Sequence, residues 1–444
     1  MIKFIKINIG KGKRKMNKLK SKKGITLVAL VVTTVVLLIL AGASINLVLG
    51  DNGIIDKAKE AQRKSAEATQ NDLIGMNELA QQLEEKINGS AGSGSGNGGA
   101  GGSGAGTKVP AEATAETAPY FPDNTFTKKE GTIDTGLVIK DASGNEYVWV
   151  VVPRTTAVYK TTGLGKTTFT DADYTSIEND LKEYTKTYRG SISYSDVYYP
   201  DDKNVGWFAD ATAYNNLKNS MLKSVYENGG FYVGRYEAGI DTTAGTNRTS
   251  NTDKNSNGKY TMPSTTPVSR ADAYPYTWVT RTQAQNLASN VNSGTKTSSL
   301  MFGVQWDLIL AFMHTKGNVS NNEINENSVN LGNYRDNIWN ITNKNAKYSV
   351  EDGNNYINCP YEKKQAENIL LTTGSSEKFA HMNIYDIAGN VWEYTLENTG
   401  EANRPCSLMG SYYKYNGSVT VSTRQYLVAT NYNFYDLGFR IVIY

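Results

Sequence analysis

Between Ser411 and Asp436, nine of 26 residues are Tyr or Asn: Tyr412, Tyr413, Tyr415, Asn416, Tyr426, Asn431, Tyr432, Asn433 and Tyr435. Tyrosine offers rigid amphipathic contact area at small entropic cost, and asparagine adds adaptable hydrogen bonds. The chemistry this set suits is recognition. Residues arranged for turnover are missing: the sequence has no P-loop, no H-E-x-x-H helix and no G-x-S-x-G elbow. Its two histidines, His314 and His381, are far apart, and a lone His in an apolar helix suits a core position better than a metal. Asp253 to Gly258 matches the first half of a D-x-[DN]-x-[DN]-G calcium loop, but the twelfth position is Ser264, so it reads as a polar turn. No enzyme is expected.

Such a face must be held by a folded body and carried to where its ligand is. From Ile25 to Gly50 the chain has no charged residue, which exceeds the roughly 20 apolar residues a membrane-crossing helix needs. Ten Lys/Arg and no acidic residue precede it, so the leader is expected to stay in the cytoplasm and the rest to be exported. Gly24 followed by Ile25-Thr26-Leu27 resembles the cleavage site of type IV prepilins. That resemblance implies cutting by a prepilin peptidase after Gly24, methylation of Ile25, and assembly with other pilin subunits. The family's glutamate at the fifth mature position is Ala29 here. An ordinary signal peptide ending at Ala41-Gly42-Ala43 and an uncut membrane anchor are the other readings of this stretch. All three place the remainder outside the cell, on its surface or on a pilus.

The formal charge of +3 becomes −7 once the leader's ten basic residues are set aside, which gives no support for nucleic-acid binding. Residues 1–24 thus read as a leader and 25–88 as a pilin-type helix, with 25–50 in the membrane and 51–88 amphipathic through Met76, Ala80, Leu83 and Ile87. Residues 89–130, rich in Gly, Ser and Ala, read as a flexible linker. A head from 131 to 444 follows. In it, Tyr147–Pro153 and Asn228–Gly239 read as strands, and 282–290 and 304–314 as helices, which indicates an α+β domain. Cys359 and Cys406 could form one bridge or stay as small buried residues.

Six segments in order carry a second resemblance: Phe231-Tyr-Val-Gly-Arg-Tyr-Glu237, Pro275-Tyr-Thr-Trp-Val279, Gly303-Val-Gln-Trp-Asp307, Ile384-Tyr-Asp-Ile-Ala-Gly-Asn-Val-Trp-Glu-Tyr394, Gly410-Ser411-Tyr412 and Gly438-Phe439-Arg440. Together they resemble the formylglycine-generating-enzyme-like family, and imply its C-type lectin fold. The family's oxidase members hold copper with two cysteines just after the Gly-Ser-Tyr segment. That segment here has none, and iron-dependent relatives need more histidines, so neither copper nor iron is expected. The resemblance also implies a calcium loop with ligands from Asp386, Gly389, Val391 and Glu393. Trp278, Trp306 and Trp392 read as core, and Arg440 as a tie to a buried carboxylate or carbonyls.

Variable proteins of diversity-generating retroelements use the same scaffold. By that resemblance, 404–437 would be a diversified region ending before a fixed strand. The expected function is non-catalytic binding of an extracellular protein or glycan, in adhesion. A structural minor pilin with no ligand, or a residual formylglycine-generating-type enzyme, are the alternatives. The 29 tyrosines spread through the chain fit an AT-rich genome equally well.

Overall fold

The computed structural model describes residues 107–444 except 110, 190–192, 202–205, 253, 292–295, 359–361, 364–366 and 425. All of them fall in one compact unit. The leader with Gly24 and Ile25, the membrane and amphipathic helices over 25–88, and the linker up to 106 lie outside the described residues.

The elements used below are, in chain order, β1 (Thr127–Glu130), β2 (Val138–Lys140), β3 (Glu146–Val151), α1 (Asp171–Tyr184), α2 (Ala211–Asn228), β4 (Gly230–Gly234), α3 (Arg281–Ser289), β5 (Ser298–Ser299), α4 (Gly303–Gly317), α5 (Asn321–Asn325), β6 (Trp392–Asn398), β7 (Cys406–Met409), β8 (Tyr426–Val428), β9 (Leu437–Phe439) and β10 (Val442–Ile443). One sheet runs β1-β2-β3-β4-β10-β5, so the last strand lies between β4 and β5. A second runs β8-β7-β6-β9, with β6 and β9 parallel.

This corrects the expected fold class. In place of an α+β head with two helices, the described chain is mixed α/β with five α-helices. None of them is long and apolar enough to cross a membrane. The sequence reading missed α1, α2 and α5 because their apolar positions are few. In α1 the buried apolar side chains are Ile177 and Leu181 among charged neighbours, and its start is set by a capping box between Thr170 and Asp173. Helix α2 buries Tyr214, Met221, Leu222, Val225 and Tyr226, starts at Asp210, whose carboxylate accepts from the Ala213 amide, and stops at Gly229. Gly229 has φ +69, and an added Cβ would meet the Glu116 carbonyl, so the turn into β4 requires glycine.

The unit also begins earlier than the sequence suggested. Residues 107–130 were read as linker, yet Val109, Tyr120 and Phe126 are buried in the core. The indole of Trp149 in β3 donates to Thr117 at 3.0 Å, and the Ala118 amide donates to the Asn228 carbonyl at 2.7 Å. This segment packs by a few large rings spaced among Ala, Thr and Pro, too sparse to form a periodic pattern.

Two buried ionic groups join the sheets. Arg440, fully buried after β9, donates from Nε and Nη2 to Glu393 of β6, from Nη1 to the Gly234 carbonyl, and from Nη2 to the Tyr385 and Asp386 carbonyls. Arg424 donates to Asp307 of α4 and to Glu397 of β6, all three fully buried, and Arg189 reaches the same two carboxylates. Asp196 adds a cap on α4, accepting from the Gly303 amide at 2.6 Å and the Val304 amide at 3.1 Å.

Candidate functional site

The loop between β8 and β9 supplies one edge of the candidate face. Its backbone is bound at several points: Tyr394 Oη donates to the Tyr432 carbonyl (2.7 Å), the Trp278 amide to the Phe434 carbonyl (3.0 Å), and the Trp392 amide to the Asp436 carbonyl (2.8 Å). With the backbone so bound, the side chains between these anchors turn outward. Tyr432 is 41% and Phe434 37% exposed. Their rings lie near parallel, 22° apart with centroids 6.2 Å apart. Phe434 also contacts Tyr435 at 4.4 Å and Trp278 at 5.4 Å.

Trp278 was read as core with Trp306 and Trp392. Those two are buried, but Trp278 is only partly so. Its φ of +58 is a position a bulky side chain rarely adopts. Its carbonyl accepts from Arg248 Nη2 at 3.1 Å, and this backbone presents the indole beside Phe434. Neither Trp278 nor Phe434 was among the expected site residues. An aromatic side chain in the polar run Asn431-Tyr-Asn-Phe-Tyr435 was the available signal for Phe434; the left-handed turn at Trp278 has none.

The other expected residues differ in burial and place. Tyr412 and Tyr415 are half-buried and pack against Trp392, with centroids 6.3 and 6.2 Å from its ring. Tyr413 is fully buried, in a small cluster with Leu370 and Val391, and its hydroxyl donates to Asp352 at 2.6 Å. It supports the face from beneath and cannot be a contact residue, which corrects its assignment. Asn431 is exposed, and Asn433 donates to the Asn431 carbonyl at 3.2 Å, so both lie at the loop tip with Tyr432. Asn416 lies on the turn bearing Gly417, where Ser418 Oγ donates to it at 2.6 Å. Tyr426 sits in β8 opposite Leu408.

One charged pair crosses the face. Lys414 Nζ is 2.7 Å from Asp352 Oδ1, donates to Tyr435 Oη at 3.0 Å, and lies 4.4 Å from the centre of the Tyr435 ring. Burial draws the Lys414 ammonium down, but Asp352 and Tyr435 outweigh it and hold it above its ordinary value. Behind it, burial pushes the Asp436 carboxyl up to about 6. The face therefore combines exposed rings, asparagine amides and a cation that already has a partner.

The loop from Asp386 to Glu393 is a different kind of site. Glu393, with both oxygens bound by Arg440, already has a cation. Gly389 has φ +71, and a Cβ there would meet the Asn333 backbone, so it permits the parallel pairing of 388–389 with 332–333. Asn390 is fully buried: its amide donates to Glu237 at 2.7 Å and its carbonyl accepts from the Leu371 amide. Burial, and then the Asp386 and Glu393 charges, push the Glu237 carboxyl well above its usual range. The expected calcium ligands Asp386, Gly389, Val391 and Glu393 do share this loop, with Glu393 committed to Arg440. The guanidinium holds one of the set's two carboxylates, and among the described residues no cluster of three or more His, Cys, Asp or Glu is placed to hold a metal.

Cys406 is a free, buried thiol that burial pushes up to about 11, and Cys359 lies outside the described residues. No family model, no curated protein and no solved structure matches this chain, so the reading of the face rests on its own geometry.

Proposed function

We propose that the chain is a ligand-binding protein displayed at the cell surface, which recognises an extracellular protein or glycan through the face formed by Trp278, Lys414, Tyr432, Phe434 and Tyr435. The observation that carries this reading is the pair of exposed rings at Tyr432 and Phe434, held by a backbone that β6 and Trp278 bind on both sides. Rings anchored this way lose little entropy on contact, so more of their buried area appears as affinity. The apolar stretch 25–50 behind a basic leader supports export and anchoring, and its start at Gly24-Ile25 supports prepilin-type processing. The motif resemblances support a binding scaffold of the kind diversified by retroelements, with 404–437 as its variable part.

The test is adhesion of cells displaying the chain to the cells they colonise, compared with a Trp278→Ala/Phe434→Ala variant at equal surface density. Adhesion reduced to the level of non-displaying cells supports the reading. Equal adhesion overturns it in favour of a structural subunit. Sequencing the gene across sibling lineages tests the diversification separately: substitutions should gather at Asn431, Tyr432 and Asn433 and spare buried Tyr413.

A further inference from the structure

A second concave site lies away from the exposed rings. It is a cleft of about 680 Å³ between the turn at Asp241–Thr243 and the turn at Lys344–Lys347, with Arg270 and Asp272 in its wall. Its volume is that of a small-molecule site. Its lining, however, is dominated by charged, hydroxyl and amide groups, so it suits a hydrophilic occupant.

The charges are unequally satisfied. Asp241 accepts at Oδ1 from the Thr243 amide and hydroxyl, at 2.9 and 2.8 Å, and at Oδ2 pairs with Arg270 Nη2 at 3.1 Å. Asp272 accepts from Asn343 Nδ2 at 2.7 Å, which ties the second turn to the wall. Both carboxylates thus have internal partners. The cations do not. Among the described residues, Lys344 has neither an ion pair nor a hydrogen bond and is exposed. Lys347 reaches only the Tyr274 phenol, at 3.4 Å, and its ring. Arg270 Nε is buried with no hydrogen-bond partner. An unpaired guanidinium N–H out of water costs free energy that an oxyanion in the cleft would recover.

We infer that this cleft binds an acidic saccharide, its carboxylate or sulfate meeting Arg270, Lys344 and Lys347 and its hydroxyls meeting the threonine and asparagine side chains. The uncharged half of the lining is what favours a hydroxylated ligand over a bare inorganic ion. Tyr274, beneath Lys347, contacts Tyr356 at 4.6 Å, and Tyr356 packs against the cluster of Leu370, Val391 and Tyr413.

The experiment is calorimetric titration of the full-length chain with three tetrasaccharides: one carrying glucuronates, one carrying sulfates, and one neutral. Saturable binding of either acidic probe, weakened at least about tenfold in Lys344→Gln/Lys347→Gln, supports the site. Which acidic probe binds identifies the oxyanion. Binding of the neutral probe with equal affinity, no saturable binding of either acidic one, or an unchanged affinity in the double variant overturns it. Both lysines are solvent-facing, so the variant should fold, and its melting temperature checks this. Phe434→Ala should leave the titration unchanged, which separates this site from the ring face; loss of binding in that variant also overturns the assignment.

Discussion

The Asp386 to Glu393 loop and the loop from Asn431 to Tyr435 lie on neighbouring strands and both are rich in polar and aromatic residues, yet they do opposite things. In the first, the buried carboxylates find partners inside the protein: Glu393 pairs with Arg440, and Glu237, which faces the loop, accepts from Asn390. In the second, the backbone is answered inside while the Tyr432 and Phe434 rings stay exposed. What distinguishes a structural site from a candidate binding site here is which side chains the fold buries, since residue composition is similar in both.

Breaking the first region should have the largest effect. Arg440→Met leaves Glu393 buried without its cation, a loss of about 3–5 kcal/mol, and chemical denaturation should show it as a lower midpoint or a chain that does not fold. Adding Glu393→Gln in the same chain should recover part of the loss. Arg424→Met, which strands Asp307 and Glu397, should fall in the same range, softened because Arg189 still reaches both.

Acidity gives an intermediate effect. Burial raises Asp436 from its ordinary 3.8 to about 6, and Asp196 likewise to about 6, with the neighbouring Glu397 adding to its shift. Between about pH 4 and pH 6 the folded chain holds more protons than the unfolded one, so these two groups make stability fall as pH rises through that window. The melting temperature should therefore be higher at pH 5 than at pH 7, and Asp436→Asn should flatten the difference. An unchanged slope in that variant would exclude Asp436 as its source.

The second region should respond least in stability and most in binding. Phe434→Ala removes a half-exposed ring, so its cost to folding should stay within about 1 kcal/mol while adhesion is lost. Tyr413→Phe sharpens the contrast. It deletes the hydroxyl that donates to Asp352, and should cost stability of about 1 kcal/mol with no direct loss of ligand contact.

What the sequence showed of the fold depended on local regularity. Helix α4 was readable because Trp306, Ile309, Leu310 and Met313 recur on one face, and Arg440 because an arginine between Phe439 and Ile441 has few other uses. Helices α1 and α2 were not, since α1 buries only Ile177 and Leu181 of its apolar side chains and α2 starts its buried face with tyrosine among Asn, Lys and Ser. The packing of 107–126 was hidden for the same reason. Within the candidate site, Tyr432 and the two asparagines of its loop were legible by composition. Tyr413 was misplaced because neighbouring positions in an irregular segment point to opposite sides. Trp278 was misplaced because its exposure comes from a left-handed turn that nothing in its neighbours announces.

The position of β10 has a consequence for synthesis. Its partners on both sides, β4 and β5, are made some 140 to 210 residues earlier, and each keeps an unpaired edge until Ile443 has emerged. The six-stranded sheet therefore closes last. Any frameshift between 404 and 437 enters the chain before this strand, and so leaves both edges open for proteases to find.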